Sequence, residues 1–174
     1  MAIREILTEP NKILREKSLK VDRVDKDLQN LMDDMLETMY AAPGIGLAAI
    51  QVGVPKRVIV LDIARKDEPK KPMCFINPKI IEKSQNNSSY EEGCLSVPGQ
   101  FAEIERPDKC HLKYLDYYGK PQEIKAEGML ATCIQHEMDH LEGVLFIDYL
   151  SKLKKSMIVK KLSKQKKELE RIVV

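Results

Sequence analysis

The chain has 174 residues, of which 43% are hydrophobic and 32% are charged, a balance typical of an ordinary globular protein with one core. No stretch approaches the roughly 18 apolar residues of a membrane span, and the segment Met1–Glu5 lacks the apolar core of a secretory signal. The formal net charge of +2 divides unevenly, since residues 152–171 carry nine Lys or Arg and only two Glu. The sequence therefore predicts a mildly acidic body with a basic C-terminal segment and no membrane partner.

The first predicted element is a helix over residues 25–40. Its apolar residues follow the i, i+3, i+4, i+7 spacing of an amphipathic helix, and Asp25 or Asp27 can cap its start. The apolar positions are Leu28, Leu31, Met32, Met35, Leu36, Met39 and Tyr40. A Gly-rich, uncharged stretch over residues 44–51 follows the helix and has no ordinary periodicity.

Short strands are predicted through the middle of the chain. They are Arg57–Ile63, Phe75–Ile81, residues 101–105, and the two arms of a hairpin, Lys109–Tyr117 and Gln122–Ala126. Tyr118–Pro121 supplies the turn of that hairpin. Residues 65–72 are charged and Pro-rich, which indicates a surface loop.

Two further helices are predicted in the last third of the chain. One opens at Gly128 and ends at Gly143, a glycine suited to the position just after a helix. The other is basic and begins at about Ser151. Short strands combined with separate helices predict an α+β domain and not a βαβ array.

The second predicted helix carries His136-Glu137-Met138-Asp139-His140, an H-E-x-x-H pattern. Histidines four residues apart lie on one helix face, so both imidazoles can bind one metal ion. Glu137 can then flank the ion as a general base without binding it. The alternative is a helix with two surface histidines. The apolar residues around the motif instead predict a buried helix, in which histidines without hydrogen-bond or metal partners would cost free energy. These neighbours are Leu130, Ile134, Met138 and Leu141.

A third ligand is needed, because two histidines do not complete a metal site. Phe146 stands where the metzincin pattern has its third histidine. The later glutamates that a gluzincin would use are poorly placed; they are Glu142, Glu168 and Glu170. Cys133 lies seven residues from His140, or about 10 Å along the helix axis, which is too far.

The remaining candidates are Cys74, Cys94, Cys110 and His111. Cys94 is the best placed, because Glu91–Gly99 is expected to form a polar, Gly-containing loop in which a thiol ionises more readily than in an apolar strand. Cys74 and Cys110 are interpreted as small buried hydrophobic residues. His111 stays open as an alternative.

Three ordered motifs resemble those of the peptide deformylase family. They are Gly44–Gln51 (GIGLAAIQ), Glu92–Ser96 (EGCLS) and Gln135–His140 (QHEMDH). The resemblance extends over nearly the whole chain. It implies an enzyme that hydrolyses the N-formyl group from the initiator methionine of nascent polypeptides and releases formate, by a metal-bound hydroxide. It also implies a single α+β domain of short, mostly antiparallel sheets around a central H-E-x-x-H helix.

The same resemblance implies a role for each matched residue. Cys94, His136 and His140 would bind the metal ion, with Glu137 as acid and base. The Gln51 side-chain amide and the Leu95 backbone N–H would bind the formyl oxygen. The implied substrate-binding residues are Ile45, Gly46, Tyr90, Glu92, Gly93, Met129, Thr132 and Cys133. One divalent ion is implied, natively Fe²⁺, with Zn²⁺, Ni²⁺ or Co²⁺ able to occupy the site; spacing alone does not identify the metal.

Two positions depart from the commoner bacterial pattern of that family. Phe101 stands where many members have an arginine near the substrate cleft, and Pro43 replaces an acidic residue. Arg106 matches a recurrent arginine after the second motif. We hypothesise that it pairs with Asp139 and supports the metal site from behind.

The resemblance divides the chain into a catalytic part, residues 1–150, and a basic helix, residues 151–174, that packs on it or extends from it. That helix resembles a ribosome-docking element, which RNA phosphates would attract, although a charged helix face can also serve solubility alone. The implied location is the cytoplasm, where nascent chains emerge. Two other functions are left to test: a zincin-type endopeptidase and a non-enzymatic RNA-binding module.

Overall fold

The chain folds into two antiparallel sheets and three α-helices in a computed structural model that describes residues 2–173. The helices are α1 (Lys26–Ala41), α2 (Gly128–Leu141) and α3 (Lys152–Val173), and short 3₁₀ helices span Lys12–Arg15, Ala49–Val52 and Phe146–Tyr149. The strands are β1 (Gly46–Ala48), β2 (Val58–Leu61), β3 (Met73–Lys83), β4 (Asn87–Cys94), β5 (Val97–Pro107), β6 (Lys109–Leu115) and β7 (Pro121–Glu127). The α+β architecture with mostly antiparallel pairing is confirmed.

The larger sheet has five strands in the order β1-β2-β3-β6-β7 and lies between two helices. Successive side chains of β2 point to opposite faces of the sheet. Val58 and Val60 pack in the cluster that contains α1, whereas Ile59 and Leu61 pack in the cluster that contains α2. Because both faces are covered, this strand is a continuous apolar run that is fully buried.

Helix α1 confirms the predicted amphipathic helix and its start. Of the two candidate caps, Asp25 is the one used: its Oδ1 accepts a hydrogen bond from the Leu28 backbone N–H at 2.9 Å. Most of the predicted apolar positions are buried against the five-stranded sheet. Burial of this stripe, more than helix propensity, fixes the helix on the sheet.

The smaller sheet is a hairpin of β4 and β5, and it corrects the sequence interpretation. Glu91–Gly99 was expected to be a loop, but its first four residues complete β4 and its last three begin β5, with a tight turn at Leu95 and Ser96. The prediction failed because β4 is mostly polar and exposes one edge and one face, so it lacks the apolar alternation of a half-buried strand.

A third apolar cluster joins the hairpin to the C-terminal part of the chain. Val97 and Ile104 of β5 pack with Phe146, Ile147 and Leu162. Leu162 is the buried anchor of α3, and the helix starts where the Ser151 hydroxyl accepts a hydrogen bond from the Lys154 N–H at 3.2 Å. Within residues 2–173, no helix combines the length and the apolar character needed to cross a bilayer.

Candidate active site

Three potential metal ligands converge between α2 and the β4–β5 hairpin. The helical spacing places His136 and His140 one turn apart, with ring centroids separated by 5.2 Å. Cys94, the last residue of β4, places its Sγ 3.4 Å from His140 Nε2. One ligand atom from each of the three residues lies within 4.8 Å of the others, and no other group of three His, Cys, Asp or Glu in the described chain does so.

These distances and donors fit a bound transition-metal ion. Ligand atoms of a tetrahedral site, bound at about 2.0 to 2.3 Å, lie roughly 3.5 Å from one another, close to the observed separation of Cys94 and His140. One sulfur and two imidazole nitrogens suit zinc and the neighbouring divalent metals rather than magnesium or calcium. Both histidines are buried, so a shared ion would also satisfy nitrogen atoms that are shielded from water.

The other candidate ligands lie elsewhere. Cys74 and Cys110 pack in apolar clusters, as interpreted from the sequence. His111 lies on β6, where its Nε2 is 3.3 Å from a carboxylate oxygen of Glu123 on β7. Of the four sequence candidates for the third ligand, the structure therefore brings only Cys94 to the histidine pair.

A buried carboxylate orients His136 from behind. His136 Nδ1 donates a hydrogen bond to Glu92 Oε1 at 2.8 Å, which leaves Nε2 free for a metal ion. Burial alone would raise the pKa of Glu92, but the hydrogen bonds from His136 and Arg106 outweigh it and lower the pKa. Glu92 is therefore held as a charged acceptor, a contact that the sequence did not reveal because it joins residues 44 positions apart.

Arg106 extends this support, as hypothesised. Its guanidinium is buried and binds both carboxylate oxygens of Glu92, at 2.7 and 3.0 Å. Its Nη1 donates to Asp139 Oδ2 at 2.8 Å, so the predicted pair is confirmed. Tyr149 completes the group, since its hydroxyl donates to the same Asp139 oxygen at 2.8 Å. No sequence pattern indicated Tyr149.

Glu137 stands beside the ligand cluster with a free carboxylate oxygen. Its Oε2 is buried and has no hydrogen-bond partner among the described residues, while Oε1 lies 3.9 Å from His136 Nε2. Burial raises the pKa of Glu137 to about 7, although the nearby His136 and Arg106 oppose the shift. A carboxyl group with such a pKa can both take and return a proton near neutral pH.

Gln51 is fixed with its amide N–H groups toward the cluster. Its Oε1 accepts the Ala48 backbone N–H at 2.9 Å, and this bond determines which way the amide faces. Nε2 then donates to Ser96 Oγ at 3.0 Å and approaches Cys94 Sγ at 3.6 Å. The 3₁₀ helix that carries Gln51 thus delivers a hydrogen-bond donor next to the candidate metal ligands.

A cavity of about 490 Å³ opens onto these groups. Leu95, Gln51 and Glu137 line it, as do Cys94 and His136 of the ligand cluster, whereas His140 is fully buried behind them. Every residue expected to bind substrate also lines it: Ile45, Gly46, Tyr90, Glu92, Gly93, Met129, Thr132 and Cys133. Sequence patterns do not predict the β4–β5 hairpin. They therefore do not identify the lining residues at the start of β5, which are Val97–Gln100.

Proteins with similar sequences identify the family of this chain. Residues 3–156 match the family model described as polypeptide deformylase. The chain is 67% identical to the peptide deformylase of Pelagibacter ubique over 174 residues, with both chains fully covered. It is 64% identical to that of Maricaulis maris over 171 residues, which cover 98% of each chain.

Solved structures agree with the sequence comparison. The crystal structure of peptide deformylase from Ehrlichia chaffeensis in complex with actinonin superposes with a TM-score of 0.91 at 47% identity, covering 95% of this chain and 98% of the other. The Legionella pneumophila peptide deformylase superposes with a TM-score of 0.89 at 45% identity, covering 98% and 99%. The chain therefore belongs to the polypeptide deformylase family, metal-dependent hydrolases that remove the formyl group from N-terminal methionine.

Proposed function

We propose that this protein removes the formyl group from the initiator methionine of nascent polypeptides in the cytoplasm, with Cys94, His136 and His140 holding one divalent metal ion. The observation that carries the proposal is the convergence of these three side chains within 4.8 Å of one another, beside the free carboxylate oxygen of Glu137. All of these groups except His140 face a single cavity.

The metal ion would supply Lewis acidity, lowering the pKa of water and polarising the formyl carbonyl. We propose Fe²⁺ as the native ion, following the resemblance to the family. The donor set of one sulfur and two nitrogens also suits Zn²⁺, Ni²⁺ and Co²⁺. Anaerobic purification followed by metal analysis distinguishes these ions.

Glu137 moves the protons of the reaction. The carboxylate accepts a proton from the attacking water, and the carboxyl group later donates it to the amine that leaves. The buried position of the carboxyl group supports this exchange, because burial raises its pKa and so favours uptake of a proton. Products are formate and a peptide with a free methionine amino group.

Gln51 and the backbone N–H of Leu95 stabilise the negative charge that develops on the formyl oxygen. Gln51 is suited to this role because its amide is already oriented by Ala48 and needs no reorganisation during the reaction. Leu95 follows Cys94 directly in the hairpin turn and lines the same cavity. The methionine side chain would occupy the apolar part of the cavity, against Ile45, Met129 and Cys133.

The test compares formate release from formyl-Met-Ala-Ser by the wild type and two variants. Glu137→Gln keeps the size of the side chain and can still form hydrogen bonds, but an amide cannot take up and return the proton. The rate should therefore fall by about 10²- to 10⁴-fold with the metal content unchanged. Cys94→Ala should lose both metal and activity. Metal analysis of each purified variant provides the second readout.

The same experiment separates the alternatives. Hydrolysis of casein in preference to the formylated peptide would identify an endopeptidase. A Cys94→Ala protein with full metal content and full turnover would reject the assigned ligands, and an active Glu137→Gln would reject the proton carrier.

We also propose that α3 docks on the ribosome. The support is its charge: five lysines lie within residues 152–161, and four of them are exposed. Because Leu162 anchors the helix to the third apolar cluster, these lysines are held on a fixed surface rather than on a free tail. RNA phosphates are the complementary partner.

A further inference from the structure

The mouth of the active-site cavity is apolar and has almost no charge. Its exposed lining residues are Pro43, Ile45, Glu91, Pro98, Gly99, Phe101 and Met129. Only Glu91 is charged, and no Lys or Arg occurs among the described residues that line the cavity. Three large apolar side chains stay open to solvent there: Phe101 is 65% exposed, Ile45 48% and Met129 44%.

Phe101 is held at this mouth by the hairpin. It pairs with Gly93 across β4 and β5, and its ring lies against that glycine so closely that a Cβ on Gly93 would come within 2.6 Å of a ring carbon. The ring is therefore positioned over the backbone next to Cys94, and one side of it faces solvent. Such an exposed aromatic surface is stabilised when an apolar group covers it.

The path of a peptide substrate leads across this surface. Resting on the proposed function, the formyl group must reach Cys94, His136 and Glu137 at the inner wall of the cavity. The formyl group is the first group of the chain, so the rest of the peptide has to leave through the mouth. An extended residue spans about 3.3 to 3.6 Å, which places the residues after the methionine near the exposed lining.

We propose that Phe101 is a specificity-determining residue that makes the enzyme prefer an apolar residue directly after the formyl-methionine. Ile45 and Met129, which the proposed function places against the methionine side chain, also keep an exposed apolar surface at the mouth. Acidic residues at that substrate position are disfavoured, because covering the aromatic ring would strip water from the carboxylate while Glu91 on the same hairpin repels it. None of the described residues that line the mouth offers such a carboxylate a cationic partner.

The experiment measures kcat and KM for the peptides formyl-Met-X-Ser, with X as Leu, Phe or Asp. The wild type should favour Leu and Phe over Asp by roughly tenfold in kcat/KM, mainly through KM. Phe101→Ala should reduce this preference to about twofold, and Phe101→Leu should retain most of it. Phe101→Arg should reverse it, by raising kcat/KM for the Asp peptide above the wild-type value.

Tyr118→Ala is the matched control, since Tyr118 is a similarly exposed aromatic residue, 73% accessible, in the β6–β7 turn away from the cavity. It should leave the ranking of the peptides unchanged. If formate is released but the Phe101 variants rank the peptides as the wild type does, the specificity assignment is wrong and the proposed function stands. If the metal-loaded wild type releases no formate from any of the three, the proposed function itself fails.

Discussion

Gly46 shows how a single hydrogen in place of a side chain makes room for the Glu137 carboxylate. A Cβ at this position would lie 2.6 Å from Glu137 Oε1 and 3.0 Å from two carbons of the same side chain. Glu137 is itself buried and cannot move freely away. The Glu137 carboxylate therefore requires a glycine at position 46. The same glycine would also let a substrate approach the backbone closely.

Gly46→Ala should lower kcat by about 10- to 100-fold, because a displacement of the carboxylate by less than 1 Å is enough to misplace the proton transfer. The metal content should not change, since the substitution touches none of the three proposed ligands. In a double-mutant cycle, Gly46→Ala added to Glu137→Gln should cost little further activity. Fully additive losses would mean that the alanine acts through something other than Glu137.

At the residue level, the sequence predicts proximity where spacing is local. His136, Glu137 and His140 follow from one helical turn, which is visible in the sequence. Elimination favours Cys94 but leaves His111 open, because Cys94 and its neighbour His140 are 46 residues apart in the chain. Glu92 was expected to touch substrate, and it does line the cavity; that its carboxylate holds His136 and Arg106 was not readable from any pattern.

At the scale of elements, the C-terminal end of α2 is clamped by the N-terminal segment of the chain. Arg15 Nη1 donates to the Gly143 carbonyl at 3.2 Å and to Asp148 Oδ2 at 2.6 Å. The Ser18 backbone N–H donates to the Leu141 carbonyl at 2.8 Å. These bonds satisfy carbonyls at the helix end and hold the turn that carries His140.

Asp148→Asn tests this clamp through its pH dependence. Burial would raise the pKa of Asp148, but hydrogen bonds from Arg15 and Lys155 hold the pKa below its usual range. The ionised carboxylate therefore adds stability above its unfolded pKa of about 3.9, and this contribution disappears as the pH falls through the lower folded value. The variant should unfold about 1 to 2 kcal/mol more easily at pH 7, with the difference shrinking toward zero in acid.

Urea unfolding of both proteins between neutral and acidic pH measures that difference. Asp67→Asn, in the exposed loop after β2, is the control and should match the wild type at every pH. A deficit of the Asp148→Asn protein that stays constant with pH would show that lost packing, and not charge, causes it.

Elements were predictable when their own periodicity identified them. The stripe of α1, the buried run of β2 and the β6–β7 hairpin all carry local signals, and the structure has each within a few residues of the expected bounds. β1 has three residues and lies in the Gly-rich motif, so no alternation can appear. β4 was missed because a polar strand in a two-stranded sheet resembles a loop in composition.

At the scale of the molecule, the site exists only because three distant parts of the chain meet. The 44–51 motif, the end of β4 and helix α2 are joined by packing on the five-stranded sheet and by the cluster behind the hairpin. Residue patterns alone predicted the α+β class and two ligands. The complete arrangement was predicted through the resemblance to a family, because long-range packing leaves no periodic signal in one sequence.

The proposed docking of α3 predicts a separation between catalysis and ribosome binding. The variant replaces three exposed lysines of α3 by glutamine: Lys154, Lys161 and Lys164. Lys155 is kept, because its Nζ lies 2.7 Å from Asp148 Oδ1 and supports the fold. Because none of these three lysines lines the cavity, kcat/KM on formylated tripeptides should be unchanged.

Ribosome affinity should instead fall, and it should depend less on salt. If each lysine neutralises one phosphate, the slope of log K against log salt should become less steep by roughly 2 to 3. The control replaces three exposed lysines outside α3, Lys17, Lys66 and Lys125, and so makes the same change in net charge. If both triple variants weaken ribosome binding equally, only the net charge of the protein matters. If only the α3 variant loses ribosome affinity, α3 is the docking face, because an effect of net charge alone would not depend on which lysines are replaced.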